Sequence, residues 1–228
     1  MHHRASRFAA ALAIAATSPA VAQVPYWYAG VSGGQSRTSS ELVRNRESTV
    51  TNAQSVTSDF DATDTAWKAF GGYRFNNMLA IEVSYADLGR DTLTTSTVST
   101  VGQSGAIRIV RKISGFGADA VLSAPLGTQF TVFGRIGAFR SHLEADAALT
   151  GGIEFASGDP TDRSRSVTQN ETVAHAGVGL DWWFRPNAAV RLEWERYKGI
   201  GKAFAVGATG TTGEADTDAV SLGVLMRF

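Results

Sequence analysis

Residues 177–197 read GVGLDWWFRPNAAVRLEWERY, and their rhythm has a period of two. Val178, Leu180, Trp182 and Phe184 alternate with Gly177, Gly179, Asp181 and Trp183. After Arg185-Pro186-Asn187, Val190, Leu192 and Trp194 alternate with Arg191, Glu193 and Glu195. Successive side chains of a strand point to opposite faces, so each run has one apolar and one polar face. Pro and Asn between the runs are turn residues. The stretch is predicted to be an antiparallel hairpin, greasy on one side and ionic on the other.

The same alternation recurs along the chain, for example in Leu79, Ile81, Val83 and Tyr85. Eight runs carry it, at 26–36, 63–75, 79–89, 105–123, 129–144, 171–184, 188–198 and 215–228. The connections alternate in length. Asn76-Asn77-Met78, Pro125-Leu126-Gly127-Thr128 and 185–187 are tight turns, whereas 37–62, 90–104, 145–170 and 199–214 are long and rich in Ser, Thr, Asp and Gly. Short turns at one end and long loops at the other predict an up-and-down antiparallel sheet with both termini on the short-turn side.

The N-terminus, MHHRASRFAAALAIAATSPAVAQ, has a positive start at Arg4 and Arg7 and an apolar run from Phe8 to Thr17. That run is too short for a membrane helix and is followed by the small-x-small Ala20-Val21-Ala22. Residues 1–22 therefore read as a signal peptide cleaved before Gln23, and 23–228 as one domain. Without Arg4 and Arg7, 19 basic residues face 21 acidic ones, a balance that argues against nucleic acid as a partner. With no cysteine, an exported disulfide scaffold is excluded.

Charge placement decides which face meets solvent. If the apolar face points outward, the inward set contains Lys68, Arg74, Glu82, Asp119, Arg135, Asp181, Arg191, Glu193, Glu195 and Arg227. These are five bases and five acids, so the interior can neutralise itself. The large aromatics Trp67, Tyr73, Trp182, Phe184, Trp194 and Phe228 then fall near strand ends, where a membrane barrel keeps its girdles. The expected fold is all-β: an eight-stranded antiparallel up-and-down transmembrane β-barrel in the outer membrane. Its last strand, AVSLGVLMRF at 219–228, must pair with the first, because an open edge cannot lie in hydrocarbon. Leu222, Val224, Met226 and Phe228 form the outward stripe of that strand and read as the signal for the barrel-assembly machinery. Lipids and lipopolysaccharide of the outer membrane, this machinery and periplasmic chaperones are the expected partners.

TAWKAFGGYRFNNMLAIEVSYADLGR (65–90), LSAPLGTQFTVFGRIGA (122–138), the hairpin at 177–197 and the closing SLGVLMRF resemble the hairpins of OmpA-like transmembrane barrels. This group takes in small porin-family and opacity-type surface proteins. The resemblance implies an interior ionic cluster supplied by a third-strand Glu, a fourth-strand Lys, a sixth-strand acid and a seventh-strand Arg. Glu82, Asp181 and Arg191 match, but the lysine position falls on Val121, and Arg135 is the expected replacement partner. Glu193 joins the same inward set. The family often adds a peptidoglycan-binding domain; here the chain ends with the barrel's last strand, so none is expected.

An eight-stranded barrel is just wide enough for its own side chains, so these charges are expected to plug the lumen and fix register. No cofactor, metal or catalytic residue is assigned. Asp59, Asp61 and Asp64 lack the pattern of a calcium loop and read as a solvated patch. His175 and Asp181 share a face but lie about 20 Å apart along a strand, too far for a dyad. No serine and carboxylate beside a lipid-facing histidine is found around His142, so an enzyme is not expected. Gly33-Gly34 and Gly71-Gly72 read as sites of close strand packing. The expected role is structural and surface-exposed, with the four long loops as an adhesion or recognition surface. A small-solute or ion channel is the first alternative and a lipid-modifying enzyme the second.

Overall fold

The computed structural model describes residues 25–40, 53–99, 104–152, 161, 163–201, 205–206, 211–212 and 215–228. The signal segment at 1–22 and its cleavage point lie outside the described residues. Among them there are eleven strands and no helix: β1 Tyr26–Ser40, β2 Ala53–Asp61, β3 Thr63–Arg74, β4 Leu79–Ser99, β5 Ser104–Leu126, β6 Phe130–Gly151, β7 Ser164–Arg185, β8 Ala188–Ile200, β9 Ala205–Val206, β10 Thr211–Thr212 and β11 Ala215–Arg227. β9 and β10 pair only with each other.

Every other pairing is antiparallel, and the ring runs β1-β3-β4-β5-β6-β7-β8-β11 and back to β1. β2 continues along β4 where β3 leaves off, so the two are one stave interrupted at Ala62. The result is a closed eight-stranded antiparallel barrel. The first and last strands pair without a break from Tyr28 with Arg227 to Ser40 with Ala215. The fold has no open edge at membrane depth, as a sheet in hydrocarbon requires.

The strands run further than their sequence pattern indicates. Residues 90–104 and 145–170, read above as loops, are mostly strand: β4 and β5 pair from Leu79–Leu122 up to Val98–Ser104, and β6 pairs with β7 up to Ala148–Ser164. β1 likewise extends to Ser40, and β2 fills much of 37–62. These segments are rich in Ser and Thr outside, which resembles loop composition. Inside they keep a buried row, including Asp91, Leu93 and Thr95 on β4 and Ala145 and Leu149 on β6. The strand connections are thereby shortened to Ser40–Ala53, Ser99–Ser104, Gly151–Ser164 and Ile200–Ala215.

The outward face is apolar over the lower barrel. Val31, Ile81, Val83, Phe116, Leu122, Ile136, Val178, Leu192, Leu222 and Val224 are all more than half exposed. A water-soluble protein does not leave a continuous belt of this kind uncovered. Trp27, Trp182, Phe184 and Phe228 rim the short-turn end of the belt, and Trp67 and Trp194 its other end. Above it the outward positions turn polar at Gln35, Asp87, Lys112, Arg140, Thr172, Arg196 and Asp218. These two levels bound the membrane.

Inward positions are tailored to their neighbours. Gly72 lies in register between Tyr28 on β1 and Glu82 on β4. A Cβ there would overlap the Tyr28 ring. Its absence lets Tyr28 cross the β3 backbone and donate its hydroxyl to Glu82 Oε2 at 3.0 Å. Gly89, with φ of 79°, marks the irregularity at which the β4–β5 register shifts above Asp87.

Candidate functional site

All ten inward charges expected from the alternation lie on the lumenal face. Eight of them form one network: Lys68, Glu82, Asp119, Arg135, Asp181, Arg191, Glu193 and Glu195, none more than 5% exposed. Arg135 on β6 is the hub. Its Nη1 is 2.7 Å from Glu82 Oε1, 3.5 Å from Asp119 Oδ2 and 3.6 Å from Glu195 Oε1, and its Nε is 2.5 Å from Glu193 Oε1. Gly177 stands in register between Arg135 and Glu195, so both long side chains can rise past it. Arg191 on β8 forks onto Asp181, its register partner on β7, at 2.8 and 3.0 Å. It also donates to Glu82 Oε2 at 2.9 Å. Its guanidinium lies 4.3 Å from the Phe133 ring centroid and 4.7 Å from that of Phe70. Fork geometry and flat stacking are properties of arginine that a lysine would not reproduce.

The lysine of the cluster comes from an unexpected strand. Val121, at the position where the resemblance puts it, is part of an apolar layer. Lys68 on β3 supplies the ammonium instead, donating to Glu193 and, at 2.8 Å, to Glu195. His175 is a further member that comparison along its own strand missed. Its Nδ1 stands 3.0 Å from Asp119 Oδ1 on β5 and its Nε2 3.0 Å from Glu195 Oε1 on β8. Only the doubly protonated ring carries a proton for both carboxylates. The ring also stacks on Tyr197 at 4.3 Å between centroids. The cluster thus sets five acids against Lys68, Arg135, Arg191 and His175. The other two inward bases, Arg74 and Arg227, lie below it at the short-turn mouth.

Apolar layers flank this network. Along β4 the inward order is Ala80, Glu82, Ser84, Ala86, Leu88; along β6 it is Phe133, Arg135, Gly137, Phe139; along β8 it is Ala189, Arg191, Glu193, Glu195, Tyr197. Tyr28, Phe70, Ala80, Val121, Phe133, Ala189 and Leu225 pack together below. Leu88, Ile113, Phe139, Leu143, Val173, Tyr197 and Ile200 pack together above. Beside Lys68 and Glu195 the lumen leaves a cavity of about 10 Å³, room for one water at most. Higher still, outside the membrane, Arg111 Nε meets Asp91 Oδ1 at 2.7 Å. Burial there pushes the Asp91 carboxyl above its ordinary value against the pull of Arg111.

Outside the barrel, His142 Nδ1 meets Asn170 Oδ1 at 2.8 Å, and its Nε2 lies 3.4 Å from Glu144 Oε1. Ser114 is its register partner on β5. A serine, a histidine and a carboxylate share this outward face, but above the apolar belt and off the lipid-facing surface. Among the described contacts none joins Ser114 to His142, and the histidine and glutamate side chains are 43% and 49% exposed, so the row is a solvated polar edge. Asp64 accepts the backbone N–H of Thr65 and Arg90 at the β4 irregularity. Among the described residues no group of three or more His, Cys, Asp or Glu is placed to hold a metal.

Residues 22–228 match the family described as the OmpA-like transmembrane domain. The chain belongs to this family. Outer membrane protein A of Yersinia pseudotuberculosis is 29% identical over 160 residues, which cover 70% of this chain and 39% of that protein. This OmpA-like barrel thus matches well under half the length of that relative. Among solved structures, Neisserial surface protein A is 15% identical with a TM-score of 0.47, over 89% of this chain and 97% of that one. Ail, the attachment invasion locus protein of Yersinia pestis, is 16% identical with a TM-score of 0.48, over 90% of this chain and all of that one. The OmpA-like barrel is an integral protein of the cell outer membrane.

Proposed function

We propose that this barrel is a structural, surface-exposed outer-membrane protein that makes its contacts outside the membrane and does not conduct through its lumen. The observation that carries this reading is the ionic network packed between two apolar layers. A permeating ion would have to cross both layers without its hydration shell, and an eight-stranded barrel has little interior width to spare. In planar bilayers the purified chain is expected to give no stable, ion-selective current steps; reproducible steps would favour the channel.

The extension of β4 to β7 past the membrane supports the surface role. β6 continues from Arg140 to Gly151, about 35 Å along the strand, and presents His142, Glu144 and Asp146 outward. Such a projection carries the strand ends clear of the lipid surface. Replacing the Ser40–Ala53 and Gly151–Ser164 connections by short turns should abolish binding to host cells while leaving the barrel folded. Unchanged binding would count against an adhesive role for these two connections.

The outward stripe Leu222, Val224, Met226 and Phe228, each more than half exposed, is proposed as the surface that the assembly machinery reads. Phe228→Ala should lower the amount of barrel in the outer membrane severalfold and leave refolding into detergent unchanged. Equal loss in both settings would make Phe228 a stability residue only.

A further inference from the structure

The two lumenal arginines outside the ionic cluster share the short-turn mouth. Arg74 on β3 is 5% exposed. Its Nη2 donates to Ser123 Oγ at 3.1 Å and its Nη1 to the Asn77 carbonyl at 3.4 Å, and its buried Nε has no acceptor. Among the described residues no carboxylate pairs with it. Arg227 on β11 stacks between two rings, 5.2 Å from the Tyr26 centroid and 5.1 Å from that of Trp183. The Arg74 guanidinium lies 5.9 Å from the same Tyr26 ring, so two cations lie beside one aromatic. Trp183 is anchored by its Nε1–H bond to Thr131 Oγ1 at 3.3 Å. The buried Oδ1 of Asn77 receives no donor.

These groups surround a cavity of about 520 Å³, framed by the β3–β4, β5–β6 and β7–β8 turns, with Arg185 at its rim. No Asp or Glu lines it. A buried guanidinium with an idle N–H, lining the same cavity as a second cation, concentrates positive potential where an anion can enter. Arginine's planar fork suits phosphate oxygens, which can accept from both guanidinium groups at once. The mouth also sits where the lower aromatic girdle meets the headgroups of the inner leaflet.

We propose that the periplasmic mouth is a binding site for a phosphate group bearing or adjoining a hydroxyl. Arg74 and Arg227 grip the phosphate oxygens, and Asn77 Oδ1 accepts the hydroxyl proton. Free hydrogen phosphate and the glycerophosphate headgroup of an anionic phospholipid share this chemistry. The assignment rests on the mouth alone and is independent of whether the lumen conducts.

The whole chain is titrated with inorganic phosphate in a zwitterionic detergent at constant ionic strength, following tryptophan fluorescence, with Trp183→Phe identifying the reporter. In parallel, nanodiscs of phosphatidylcholine are compared with nanodiscs containing phosphatidylglycerol, and co-purified lipid is read by native mass spectrometry. A saturable response in the first arm assigns the site to the free anion. Selective retention of phosphatidylglycerol without a phosphate response assigns it to the lipid. In either case Arg74→Gln and Arg227→Gln should each weaken binding about tenfold, and Arg196→Gln at the opposite end should not. Among the described residues the Arg227 side chain contacts only the Tyr26 and Trp183 rings and makes no hydrogen bond or ion pair, so its variant stands as the test if Arg74→Gln fails to fold. Absence of binding in both arms, indifference to Arg227→Gln, or an equal response to acetate would overturn the proposal.

Discussion

Arg191→Ala is expected to lower the urea midpoint of the barrel in detergent by about 1–5 M. The figure follows from the cost of removing one partner of a buried ionic set, about 3–5 kcal/mol, divided by a urea slope of about 1–3 kcal/mol per M. Asp181 would lose both prongs of its fork and Glu82 one of its two arginines. Neither acid can turn to water, since each is about 1% exposed. The alanine would also leave a void between the Phe70 and Phe133 rings that now sandwich the guanidinium. Arg196→Ala is the matched control. Arg196 makes an equally well-formed fork to Asp218, at 2.7 and 2.6 Å, but on the wet outer face, where solvent and salt screen it. Its midpoint should stay close to that of the parent. If the two variants unfold alike, the lumenal network does not hold the barrel together.

The parity of the charged residues was legible because it is a local property. Period-two alternation assigns Glu82, Arg135, Asp181, Arg191 and Glu193 to the lumen without any knowledge of their neighbours. Which of them touch is a matter of register and of the side chains between, and here single-strand reasoning fell short. Lys68 replaces the lysine expected at position 121 because its long stem crosses the lumen from β3 to two glutamates on β8. His175 shares its strand with Asp181, yet its partners lie on β5 and β8. The balance of five bases and five acids was correct as a count and misplaced in space, since Arg74 and Arg227 belong to the mouth. The upper ends of β4 and β7 read as loops because Ser and Thr dominate their outer face. The inner face of β4, with Leu93 buried between Asp91 and Thr95, carries the strand signal at too low an amplitude to dominate the composition.

Arg135→Met is expected to be costlier than Arg191→Ala, even though methionine restores much of the lost volume. Four carboxylates lie within 4 Å of the Arg135 guanidinium, so its removal leaves Glu82, Asp119, Glu193 and Glu195 facing one another across β4, β5 and β8. Glu82 and Asp119 are direct register partners and would repel at closest range. Without the hub Glu195 keeps both Lys68 and His175, whereas Glu193 keeps Lys68 alone and shares it with Glu195. The coupling can therefore be measured by adding Glu193→Gln, which removes one repelling charge and keeps the side-chain shape. In a double-mutant cycle on the unfolding free energy, the pair should cost less than the sum of its parts by about 1–3 kcal/mol. Strict additivity would mean that Arg135 and Glu193 act independently despite their contact. A double variant restored most of the way to the parent would identify uncompensated charge, rather than lost packing, as what makes the hub necessary.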